Sequence, residues 1–150
     1  MSTRAAQPTE LPYPCSLEVR DACLCLHVQR AARALARRFD EAFRPLDLTN
    51  GQFSLLMSLN RPQPPSIGSV ASLLAMDRTT LTAALKPLVR RGLVTISVDK
   101  KDRRSRLLTI RPAGRALLAK AFPIWRQTHV ELERHISQPE GLRAALLALA

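Results

Sequence analysis

Apolar positions recur along this chain in two periods. Leu24, Val28, Ala31, Leu35, Phe39, Ala42 and Leu46 follow one another at intervals of three and four residues, which keeps them on one stripe of a helix. The spacing predicts a helix that starts soon after residue 14 and stops near Arg44, before Pro45. Thr49 offers a capping hydroxyl to a short apolar helix reaching about Leu59, and the segment RPQPPS then breaks it. Ser66 caps another short helix, IGSVASLLA, whose Gly68, Ala71 and Ser72 permit close approach to a neighbouring helix, and Ala75 and Met76 turn the chain.

Asp77 is an N-cap for a third helix, RTTLTAALKPLVRR, with Leu81, Leu85, Leu88 and Val89 on its apolar side and Gly92 as its stop. Pro87 lies inside it and is expected to bend it, because proline cannot bond back to Ala83. The period then changes to two. LVTISV and SRLLTI read as strands flanking a charged tip, a β-hairpin. Pro112 opens a long helix in which Leu118, Phe122, Trp125, His129, Leu132 and Ile136 form a seam suited to a partner helix, and GLRAALLALA follows Pro139 as a shorter apolar helix. An intrachain core is the alternative use of that seam.

These elements give a mainly α fold with a small β-hairpin. A short helix, a tight turn, a second helix and a basic hairpin are the order of a winged helix-turn-helix. The expected organisation is a single winged-helix unit over residues 1–150: a flexible arm at 1–14, which carries three prolines, helices at about 16–46 and 112–150 that pair two copies, and a winged domain at about 49–111. A chain of 150 residues, 46% of them hydrophobic, is long enough for one domain with a real core.

Charge sharpens this reading. The formal net charge is +11, and residues 77–120 alone hold 12 Lys and Arg against 3 Asp, a net of +9. A basic segment so concentrated suits a polyanion, because neutralised phosphates release condensed counterions. The helix after Asp77 is therefore the element expected in the major groove, with Arg78, Thr79, Thr80, Thr82 and Lys86 facing outward. Arg78 can present two parallel donors to guanine, the threonines can contact bases or phosphates, and Lys86 can hold a phosphate. The plainer reading of Thr79 and Thr80 is that they only fill the first helical turn. The hairpin tip adds Lys100, Lys101, Arg103, Arg104 and Arg106 as wing contacts.

At this point the chain resembles the MarR family of bacterial transcription regulators over roughly residues 20–136. "RPLDLTNGQFSLL" is similar to the family's segment between dimer helix and DNA-binding domain, "MDRTTLTAALKPLVRRGLV" to its recognition helix, and "DKKDRRSRLLTIRPAGRALL" to its wing and following helix. The resemblance implies a homodimer reading a near-palindromic duplex operator. It also implies a repressor released by a small aromatic or phenolic effector or by cysteine oxidation. Two positions depart from the pattern. Lys101 replaces an arginine, losing the planar fork that suits a narrow minor groove, and Arg111 replaces the threonine that would cap the next helix, where Pro112 is still a favoured first residue.

The stretch "CLCLHVQRAARALARRFDEAFRPLDLT" aligns without gaps to the first helix of the family's organic-hydroperoxide-sensing branch, which places the candidate redox cysteine at Cys25. That branch has a tyrosine four residues on, where this chain has Gln29. The alternative is that Cys23 and Cys25 are small packing residues. Residues two apart on one helix point about 200° away from each other, so Cys23 and Cys25 are not expected to share a metal or a disulfide there. Cys15 joining either one, by the arm folding back or across a dimer, stays open as a cysteine site; otherwise no metal or cofactor is expected.

Phosphate-cradling glycine loops, paired histidines on one helix and a Ser, His and acid constellation are all missing, which argues against an enzyme. No stretch approaches the ~20 apolar residues of a membrane span, nor does the N-terminus read as a signal peptide, so a cytoplasmic protein without a membrane partner is expected. A winged-helix module that binds proteins and not specific DNA is the rival function. The concentrated charge speaks against it.

Overall fold

The computed structural model describes residues 10–150, and the first nine residues of the expected arm lie outside the described part. The chain divides into two compact units, one up to Leu35 and one from Ala36 to Ala150.

In the first unit, the single long helix expected from the apolar stripe is two helices, α1 (Tyr13–Ala22) and α2, which runs Leu24–Phe43 and so continues into the second unit. Helix therefore begins within the expected arm. Cys23 separates the two with extended backbone at φ −73° and ψ 107°. Its carbonyl accepts both the His27 backbone N–H at 3.1 Å and His27 Nδ1 at 2.8 Å, so α2 restarts there with a doubled first bond. Periodicity misses the break because neither proline nor glycine marks it, and the apolar spacing resumes in register. Cys23 is consequently not a helical residue, and the angular argument that set it opposite Cys25 does not apply.

The second unit carries the core. Phe39 and Phe43 are the buried residues of α2, and a one-turn 3-10 segment (Arg44–Leu46) follows. Helix α3 (Asn50–Ser58) starts with a reciprocal cap, the Thr49 hydroxyl accepting from the Gln52 N–H while the Gln52 side chain accepts from the Thr49 N–H. Asp40 on α2 accepts the Asn50 N–H at 2.7 Å and ties the two helices. Helix α4 (Ile67–Leu73) is capped by the Ser66 hydroxyl, as expected. The turn after it holds Ala75 at φ +51°, with Met76 N–H returning to the Ala71 carbonyl at 2.9 Å.

Helix α5 (Arg78–Arg90) passes through Pro87 without ending. Leu81, Leu85 and Leu88 are completely buried, which supplies the packing that offsets the missing backbone bond. Val89, expected on that face, is exposed, since it lies at the stripe's edge. Gly92, at φ +69°, reverses the chain into β1 (Val94–Val98), a left-handed conformation that costs glycine nothing.

Strand β1 pairs antiparallel with β2 (Arg106–Ile110) in the register Val94 to Ile110 and Ile96 to Leu108. A connection absent from the sequence reading adds a third segment: the Leu108 N–H donates to the Pro65 carbonyl, and Ser66 bridges Leu107. The proline-rich break thus also stitches the wing to α4.

Helix α6 (Pro112–Glu133) lacks a side-chain cap at Arg111 and begins at Pro112. Gly114 sits where any Cβ would lie 2.5 Å from the Leu93 carbonyl oxygen, so the helix start can seat on the hairpin base only without a side chain. The α6 seam is largely an intrachain surface. Leu118 is buried, Trp125 and Leu132 are half-buried against the core, and Trp125 and His129 face Phe53 and Phe39 with ring centroids 6.5 and 6.4 Å apart. Helix α7 (Pro139–Leu147) contrasts with it, burying no residue.

Candidate nucleic-acid interface

The buried leucines of α5 fix which face is left outside. Arg78, Thr79, Thr80, Thr82 and Lys86 are all exposed, opposite Leu81, Leu85 and Leu88. The helix start is held by Asp77, whose carboxylate accepts the Thr80 N–H at 2.8 Å and the Thr80 hydroxyl at 2.7 Å. These two bonds to Thr80 hold the Asp77 carboxyl below its ordinary value.

The threonines are not equivalent. Thr80 donates its hydroxyl proton to Asp77 and Thr82 donates to the Arg78 carbonyl at 2.8 Å. Both hydroxyls retain only acceptor capacity and a methyl group for an outside partner. Thr80 thus closes the first turn while its surface remains accessible. Thr79, Arg78 and Lys86 make no side-chain hydrogen bond or ion pair among the described residues.

The wing tip is shaped by its own aspartates. Asp99 accepts the Lys101 N–H at 2.9 Å and Asp102 the Arg104 N–H at 3.0 Å, so the two acidic residues of the tip fold its backbone. Arg106, itself exposed, donates from Nη1 to the carbonyls of Arg103 and Ser105 at 3.1 and 3.3 Å and braces the tip. Lys100, Lys101, Arg103 and Arg104 are exposed, and their side chains have no partner among the described residues.

Helix and wing border one cleft of about 360 Å³, lined among others by Gly68, Arg78, Thr82, Asp102, Arg104 and Arg106. Three arginines and one aspartate therefore line the space where α4, α5 and the wing converge. Gly68 was legible only as a small residue for helix packing; its place beside Arg78 depends on the turn at Ala75 and could not be read from spacing.

A second cavity, of about 380 Å³, is apolar and aromatic, lined by Phe53, Met57, Leu74, Phe122 and Trp125 among others. Phe122 and Trp125 stack with centroids 5.7 Å apart. Their spacing along the sequence predicts a helix seam. Their opening toward a void follows from α3 and α4 packing beside α6.

Cys25 is exposed, and its sulfur accepts from Gln29 Nε2 at 3.1 Å. The residue that departs from the sensor pattern is thus the one touching the thiol. Arg33 Nη2 in turn donates to Gln29 Oε1 at 3.4 Å. No group of three or more His, Cys, Asp and Glu is placed to hold a metal among the described residues.

The architecture and sequence match known proteins. The MarR family profile matches residues 48–105. The chain is 33% identical over 95 residues to the transcriptional activatory protein BadR of Rhodopseudomonas palustris, covering 61% of this chain and 54% of BadR. It therefore spans little more than half of that relative. It is 27% identical over 101 residues to the organic hydroperoxide resistance transcriptional regulator of Bacillus subtilis, covering 67% of this chain and 69% of that one. Among solved structures, the transcriptional regulator MosR of M. tuberculosis in complex with DNA superposes with a TM-score of 0.79 at 34% identity, covering 85% of this chain and 92% of MosR. The winged fold, the profile match over the helix and wing, and the near-complete span of MosR establish that this chain belongs to the MarR family of transcription regulators.

Proposed function

We propose that the chain is a homodimeric, sequence-specific regulator that binds a near-palindromic duplex operator in the cytoplasm and represses the adjoining genes. The observation that carries this is the exposed Arg78, Thr79 and Lys86 face of α5, anchored by three fully buried leucines and flanked by four wing cations without a side-chain partner among the described residues. Arg78 contributes base discrimination through its forked donors, Lys86 and the wing residues Lys100, Lys101, Arg103 and Arg104 hold phosphates, and Arg106 supports the tip through its two carbonyl bonds. The DNA complex of MosR supports the assignment by likeness.

Pairing of two copies is supported by α7, where Leu142, Leu146 and Leu147 stay exposed although they lie on an apolar helix. A surface of that kind is normally covered. Selection of genomic fragments by the purified protein, with ultracentrifugation alongside, tests the reading. A dimer at micromolar concentration should retain one short inverted repeat, with affinity falling steeply as salt rises. Duplex binding that ignores sequence and salt would instead favour the protein-binding module.

The aromatic cavity favours gating by a small apolar ring compound, because Phe53, Phe122 and Trp125 offer stacking faces between the winged elements and α6. Oxidation at Cys25 is the second route, favoured by an exposed sulfur already accepting a hydrogen bond. Comparing operator release by wild type and Cys25→Ser, with organic hydroperoxide and with a panel of phenolic compounds, separates the two. A typical allosteric coupling of about 1–3 kcal/mol gives a loss of affinity of roughly 5- to 150-fold. Equal responses of both proteins to peroxide would exclude Cys25.

A further inference from the structure

Arg78 is the first residue of α5 and points its side chain back across the turn onto the start of α4. A methyl group built on Gly68 would stand 2.9 Å from Arg78 Nη2, 3.6 Å from Cζ and 3.9 Å from Nε. All three atoms of the guanidinium edge therefore lie within van der Waals reach of the missing side chain. Outside the helix's own backbone, these are the three atoms nearest to the Gly68 position. The Arg78 side chain also makes no hydrogen bond or ion pair among the described residues. The space that a side chain at Gly68 would fill is thus occupied by the Arg78 guanidinium.

We propose that Gly68 is a positioning residue for DNA recognition: its lack of a side chain makes a shelf that fixes the plane of the Arg78 guanidinium between α5 and the wing, leaving its donors unspent for a base. The proposal rests on the reading of α5 as the DNA-reading helix. An arginine held by apolar contact keeps its hydrogen-bonding capacity and loses less side-chain freedom when it binds, so selectivity gains from the preorganised fork. A salt bridge would hold the same side chain but would have to be broken before it could read DNA.

The variant Gly68→Ala tests this cleanly. The position is helical without a positive φ, alanine is the better helix former, and the nearest group in the way is the far end of an arginine side chain, which can swing aside. The melting temperature should therefore not fall.

Two measurements decide the proposal. In the free protein, the Arg78 Nε–Hε signal, assigned by its loss in Arg78→Ala, should shift and sharpen toward a mobile side chain in Gly68→Ala. On the selected operator and its single-base-pair variants, Gly68→Ala should lower discrimination by about three- to tenfold at the base pair whose preference Arg78→Ala abolishes, and at no other. In the Arg78→Ala background, Gly68→Ala should change nothing further. An unmoved Nε signal, undiminished or increased discrimination in Gly68→Ala, or an effect that persists without Arg78 would each overturn the shelf. If wild type shows no base preference at all, the DNA-reading function fails, and the shelf as a determinant of specificity falls with it; the free-protein spectrum still reports separately whether the contact exists.

Discussion

Helix α5 and the wing border the same cleft and are both rich in cations, yet they are built to different tolerances. Three leucines of α5 have no exposure and its first turn is closed by an aspartate, so the outward side chains inherit a fixed origin. The wing is anchored at its base through Val94, Leu108 and Ile110, whereas Ile96 and Val98 toward the tip remain exposed and the loop is held by two aspartate turns and one arginine. A rigid origin allows a side chain to discriminate between bases; a looser one suffices for phosphates, which every sequence offers.

The sharpest way to break this comparison is through packing. Leu85→Ala should destabilise the protein by about 2–5 kcal/mol, because a completely buried leucine leaves a cavity that its neighbours cannot fill. Val98→Ala, on a half-exposed strand end, should change stability by no more than about 0.5 kcal/mol. Urea unfolding at one fixed protein concentration measures both. Similar midpoints for the two variants would mean that the helix is no better anchored than the wing.

The anchoring of α5 was largely legible in the sequence, and the reasons are local. Thr49, Ser66 and Asp77 act within three residues of themselves, so capping chemistry found three helix starts, and the leucine spacing found the buried face. What stayed hidden depends on backbone angles or on distant partners. The break at Cys23 lies in one ψ angle, and the seam of α6 is taken up by Phe39 and Phe53 from far upstream. Five wing cations are equivalent by charge, but Arg106 alone is engaged by the tip, whose aspartate-bent backbone presents it with two carbonyls. The aromatic cavity arises from three helices and has no signature in any one of them.

DNA binding separates helix and wing at the next level. Arg78→Ala should cost about 1–3 kcal/mol on the cognate site and relax the choice of one base pair. Arg104→Ala should weaken cognate and random duplexes alike and reduce the slope of log affinity against log salt by about one. Binding isotherms at several salt concentrations read both quantities. If the two variants lost equally on cognate and random DNA, the division between reading and holding would not exist.

The smallest effect concerns pH and the cap itself. Asp77 has its carboxyl lowered because the ionised form accepts two bonds from Thr80, one from the hydroxyl and one from the backbone. A group lowered in the folded state contributes stability that is present above its unfolded value, about 3.9 for aspartate. That contribution fades as the pH falls through the lower, folded value. At neutral pH the cap is therefore fully formed, and acid should loosen the first turn of α5 before the buried leucines give way. The Thr80 amide resonance should titrate at a pH below the ordinary aspartate value, and its hydrogen exchange should accelerate relative to Leu85 on acidification. In Asp77→Asn, which keeps an acceptor but cannot ionise, that titration should vanish. A Thr80 resonance that moves at the ordinary aspartate value in wild type would show that the cap is no tighter than a solvated carboxylate, and that the fixed origin of the reading face comes from the leucines alone.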